Sequence, residues 1–105
     1  MMTECEVTQL SAIVQQLGKA IASFQGASNA EGVFSSVESM NQRLNYRVML
    51  NDEMFDIRFV YYAAAGGWTW MVKGCGVTEF AYTPHDAALL WTRELRARWQ
   101  REFAG

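Results

Sequence analysis

The fold turns on the stretch Met54-Phe-Asp-Ile-Arg-Phe-Val-Tyr-Tyr62, Ala63-Ala-Ala-Gly-Gly67 and Trp68-Thr-Trp-Met-Val-Lys73. In its first part Phe55, Ile57, Phe59 and Tyr61 alternate with Asp56, Arg58, Val60 and Tyr62. Successive side chains of a strand point to opposite faces, so this period of two predicts a half-buried strand. The alternation resumes with Trp68, Trp70 and Val72 against Thr69, Met71 and Lys73. Gly66-Gly67 between the two runs suits the positive φ of a tight reversal, which makes the pair a hairpin. A second reversal at Gly74-Cys75-Gly76 leads into Val77–Tyr82, with Phe80 and Tyr82 expected on the same face as Trp68 and Trp70. Upstream, Tyr46, Val48 and Leu50 alternate with Arg47 and Met49 before the turn at Asn51-Asp-Glu53, adding a fourth strand.

The flanks of this meander are helical. Thr3-Glu-Cys-Glu6 has the form of a capping box. Val7, Leu10, Val14, Leu17, Ile21 and Phe24 follow at steps of three and four, widened by Ile13 and Ala20, up to Gly26. That stripe either packs on the chain's own sheet or pairs with a second copy, and it is short for a coiled coil. Ser28–Glu31 repeats the capping pattern ahead of Val33, Val37, Met40 and Leu44, a second helix weakened by Gly32, Ser35, Ser36 and Ser39. Thr83-Pro-His-Asp86 is the sharpest boundary: a cap, a proline suited to the first helical position and a negative charge at the positive end of the helix dipole. The closing helix carries Ala88, Trp91, Leu95, Trp99 and Phe103 on one stripe, with Glu94, Arg98 and Glu102 spaced for ion pairs. The expected fold is therefore α+β: one domain over residues 1–105, an antiparallel four-stranded meander preceded by one or two helices and closed by a long C-terminal helix.

Composition narrows the function. Half of the 105 residues are apolar, which excludes disorder and supplies a core without a metal or disulfide staple. A formal charge of −2 argues against a dedicated nucleic-acid or anionic-membrane binder. The helix–meander–helix order is similar to that of double-stranded-RNA-binding domains, but their lysine-rich closing-helix start is here Thr83-Pro-His-Asp86. Glu4 and Glu6 stand where a secretory signal would be basic, and the apolar run Phe59–Val72 falls short of the roughly 20 residues of a membrane helix. A cytoplasmic location follows as the expectation, with Cys5 and Cys75 as thiols.

Catalytic and metal chemistry find little to work with. The single histidine, His85, lies at a helix start, where the dipole opposes its protonation. Cys75 between two glycines is the one nucleophile to weigh, yet a strand of about 20 Å separates it from His85. Asp52, Glu53 and Asp56 bracket a turn without the Gly placement of a calcium loop. No catalytic residue, metal site or cofactor is expected. The arginines of the closing helix spread around it and are partly neutralised by Glu94 and Glu102, unlike a nucleic-acid footprint.

Binding is what remains. The sheet face opposite the core mixes Arg47, Asp56, Arg58, Lys73 and Glu79 with Met49, Val60, Tyr62 and Met71, a surface suited either to solvent or to another protein. The leading expectation is a small cytoplasmic non-enzymatic protein that binds another protein, an inhibitor or accessory factor in the manner of those encoded by phages and mobile elements. Met49, Arg58, Tyr62 and Met71 would contact the partner, with Arg93 and Arg96 as a second surface. The alternative is a small-molecule site lined by Trp68, Trp70, Trp91 and Trp99 between sheet and closing helix. A homodimer through the first helix or the open sheet face is compatible with either.

Overall fold

The computed structural model of the chain describes residues 2–27, 42–64 and 67–104. It opens on α1 (Glu4–Ala27), whose start is the capping box read from the sequence. The Thr3 backbone N–H donates to Glu6 Oε1 at 3.0 Å, and the Glu6 N–H donates to Thr3 Oγ1 at 3.2 Å. Two amides that a helix start leaves unpaired are thereby satisfied.

The strands are β1 (Gln42–Leu50), β2 (Glu53–Ala64), β3 (Gly67–Gly74) and β4 (Val77–Ala81). They form one antiparallel meander in the order β1-β2-β3-β4. Leu50 lies opposite Glu53, with Asn51 and Asp52 at φ 50° and 66° between them. Gly74 lies opposite Val77, with Cys75 and Gly76 at φ 53° and 76°. Two central residues with positive φ make the tight hairpin turn whose twist matches the strands. The second helix expected over 28–44 falls mostly outside the described residues. Its last stripe position, Leu44, is instead a strand residue paired with Phe59, and β1 starts earlier than the alternation from Tyr46 suggested.

The closing helix α2 (Pro84–Trp99) starts as expected: Thr83 is extended (φ −125°, ψ 153°), and its hydroxyl accepts from the Asp86 N–H at 3.0 Å. A π-helical turn, Gln100–Ala104, ends it. The wider turn carries more residues per revolution than an α-helix. Phe103 accordingly leaves the buried stripe expected of it: it is 46% exposed, its ring 6.1 Å from that of Trp99.

Both helices serve one core. Val7, Leu10, Val14 and Ile21 from α1 and Ala87, Ala88, Trp91 and Leu95 from α2 meet Ile57, Phe59, Trp70, Val72 and Val77 of the sheet. Helix α2 lies over β3 and β4, and α1 packs beside α2. They approach closely at Gly18, where an added Cβ would stand 2.8 Å from the Pro84 carbonyl oxygen and 2.9 Å from Ala88 Cβ. The Trp91 indole N–H is shared between the Gly74 and Val77 carbonyls at 3.2 Å each. This ties α2 to the two residues that frame the β3–β4 turn.

Candidate functional site

Register decides which side chains share a face. Residues directly paired across an antiparallel ladder point the same way. Val72 pairs with Phe59 and Glu79, and Trp70 with Tyr61 and Ala81, so these positions face the helices. Met71 pairs with Val60 and Phe80, and Arg43 with Val60, so these face away. Phe80 is therefore not a core residue as its spacing had suggested: it is 50% exposed on the open face, and Tyr82 just beyond β4 is 83% exposed. Glu79, expected outward, points to the core side beside Val72. The reason lies in the Cys75-Gly76 turn: two turn residues place Val77 opposite Gly74, two positions on from Val72, and that sets β4 one residue out of the phase that Phe80 and Tyr82 suggest.

The open face carries two cross-strand rows. One runs Arg43, Val60, Met71, Phe80; the next runs Asn45, Arg58, Lys73, Thr78. Arg47 opposite Asp56 and Met49 opposite Met54 continue the face toward the β1–β2 turn. Four of the six large apolar side chains that stand exposed among the described residues lie on or next to this face: Met49, Met54, Phe80 and Tyr82. Val60 alone is well buried there, at 5% exposure, with Met71 half-buried beside it.

A groove of about 580 Å³ indents the face where Asn45, Arg47, Asp56, Arg58 and Lys73 meet the β3–β4 turn. Arg58 Nε donates to Asn45 Oδ1 at 3.0 Å, which orients the guanidinium without neutralising it. Arg47 Nε stands 3.6 Å from Asp56 Oδ1, with both side chains more than three-quarters exposed. An ion pair so placed contributes little and leaves both groups open to exchange partners.

Of the residues named from sequence, Arg58, Met49 and Met71 do share this face. Tyr62 occupies the β2 position paired with Thr69, and its side chain lies outside those described. Arg93 and Arg96 belong to α2 and are not part of the sheet's open face; Arg96 Nη2 donates to Thr8 Oγ1 at 3.0 Å and so helps hold the two helices together. Arg98 pairs with Glu94 at 3.1 Å and sends Nη1 to the Gly76 carbonyl at 2.6 Å; Glu94 is the carboxylate it pairs with, not Glu102. Trp70 and Trp91 have no exposed surface, and Trp99 is half-buried with its N–H on the Met2 carbonyl at 2.8 Å. The Trp68 side chain is not among those described.

Sequence reading overlooked Arg43, Met54, Phe80 and Tyr82 as members of the open face. Arg43 is found by starting β1 earlier, and Phe80 by counting from the two-residue turn. Cys5 and Cys75 are free and exposed. Burial of its sulfur's surroundings pushes the Cys75 thiol above its ordinary value, which leaves less thiolate for attack. His85 lies beyond β4 at the start of α2, so a strand separates the two groups. No cluster of three or more metal-ligating side chains occurs among the described residues, and no described helix is long and apolar enough to cross a membrane.

Comparison with protein-family models, with curated proteins and with solved structures finds no match to this chain.

Proposed function

We propose that the chain is a small cytoplasmic protein without catalytic activity, which docks another protein on the open face of its sheet and works as an inhibitor or accessory factor. The observation that carries this is the concentration of exposed Met49, Met54, Phe80 and Tyr82 beside Arg43, Arg47 and Arg58 on one side of the sheet. Methionine, aromatics and arginine are the side chains enriched where proteins meet, and an anchor set among groups that exclude water is the usual source of binding energy. The other side of the same sheet contributes Ile57, Phe59, Trp70, Val72 and Val77 to the packed core, which supports the face before any partner arrives. Arg93 on α2 belongs to a separate surface and forms no part of this proposal.

Affinity capture from the native host's lysate tests it, with wild type run against Met71→Ala/Phe80→Ala. A stoichiometric protein retained by wild type and lost by the variant, at unchanged melting temperature, supports the proposal. A partner retained equally by both moves the docking surface elsewhere on the molecule.

A further inference from the structure

Taking the open face as the docking surface, and resting on that reading, we infer that the partner presents an acidic segment: an apolar side chain covering Met71 and Phe80, flanked by carboxylates that meet Arg43, Arg58 and Lys73. Charge distribution carries the inference. Among the described residues the open face holds four basic side chains, Arg43, Arg47, Arg58 and Lys73, and one acidic side chain, Asp56. The described residues away from the face hold five basic and eight acidic side chains. In a chain of net −2 the described residues of this face thus carry an excess of three positive charges.

Among the described residues Arg43, Arg58 and Lys73 have no carboxylate partner, and Arg58 is steadied by the neutral Asn45 amide instead. The apolar row and the cationic row are one alternate step apart along each strand, roughly 7 Å. A partner segment with its apolar anchor and carboxylates at that spacing satisfies both rows at once. Complementary charge of this kind speeds encounter and rejects wrong partners.

A second copy docking face to face would set the same positive excess against itself, so a symmetric dimer through this face is opposed. A nucleic acid fits less well than an acidic protein segment. It would run past the face onto a surface where the described residues carry an excess of three negative charges, and exposed Asp56 sits within the groove.

The test is selection of a random dodecapeptide display library on the immobilised full chain, in parallel with Arg58→Glu/Lys73→Glu. Wild type should enrich peptides that combine Asp or Glu with an aromatic, Leu or Met. The leading synthetic peptide should lose about tenfold or more in affinity on the charge-reversed variant. It should also weaken when salt is raised from about 0.05 M to about 0.5 M. Should the reversal not fold, Arg58→Gln/Lys73→Gln removes the charges without adding opposite ones and should show the same loss in smaller measure. Neutral or basic peptides that survive the reversal but are lost on Met71→Ala/Phe80→Ala would overturn the acidic partner and leave the docking face standing. No enrichment, or peptides indifferent to both variants, would overturn both. Tighter binding of a fluorescent dT20 oligonucleotide than of any selected peptide, lost on the same reversal, would reassign the face to nucleic acid.

Discussion

Trp70 and Met71 are consecutive residues of β3, and the sheet sends them to opposite sides. Trp70 has no exposed surface and sits in the core under the helices; Met71 is half-buried between Val60 and Phe80 on a face that no described helix covers. Both faces carry large apolar side chains, but the core cluster is drawn from one of them. On the core side, burial of apolar area is the main favourable term of folding. On the open side Met49, Met54 and Phe80 remain at least half exposed, so they contribute little to folding and stay available to a partner. Substitutions on the two faces should therefore fail in different assays.

The largest effect is expected from Trp70→Ala, which empties a fully buried indole site and should cost about 3–5 kcal/mol in urea unfolding. Single domains are commonly stable by only about 5–15 kcal/mol, so this variant should be close to unfolding at 37 °C. A Trp70 variant of near wild-type stability would mean that the two faces are not energetically distinct.

Gly18→Ala sharpens the same contrast within the helical layer. Helix propensity alone would make alanine better by about 1 kcal/mol. The new Cβ, however, would meet the Pro84 carbonyl and Ala88 Cβ inside 3.0 Å, and neither can swing aside. Overpacking of that kind costs about 1–3 kcal/mol, so the net result should be a lower melting temperature. A higher one would show that α1 and α2 are not in close contact there.

Acid should act on the cap of α1. The Thr3 backbone N–H, with help from the Thr3 hydroxyl, holds the Glu6 carboxyl below the ordinary value against the opposing effect of desolvation. A carboxyl depressed in the folded state contributes stability above its unfolded pKa of about 4.3 and loses it as pH falls through the folded value. The melting temperature of wild type should thus fall below about pH 4.3 from this group. Glu6→Gln, which can still cap, should flatten that part of the profile; an unchanged acid limb would exclude Glu6 as a source.

The smallest stability effect belongs to the open face. Met71→Ala/Phe80→Ala should change unfolding free energy by about 0.5 kcal/mol per site or less, as surface substitutions generally do. A loss of several kcal/mol would place these side chains in the packing and end the distinction between the faces.

Much of this architecture was legible in the residues. The Thr3–Glu6 and Thr83–Asp86 helix starts and the alternation in β2 and β3 are local features whose physics lies within a few residues, and each appears where its pattern predicted. What escaped was set at longer range or by counting. Phe80 looked like core because it is aromatic, whereas the two-residue turn at Cys75-Gly76 decides its side. Gly18 carries no pattern at all: its role comes from Pro84 and Ala88, some seventy residues away. Arg47, Arg58, Lys73, Met49 and Met71 of the proposed site followed from alternation alone. Arg43 and Phe80 required the register.

Phe80 and Phe103 offer the most direct test, since they are similarly exposed, at 50% and 46%, on the open sheet face and on the terminal turn after α2. Each would be replaced in turn by the photoreactive analogue benzoylphenylalanine, and the protein irradiated in the native host's lysate. A discrete protein adduct from position 80 and none from position 103 is the predicted result. An adduct from position 103 alone, or the same adduct from both, would contradict the open sheet face as the docking surface.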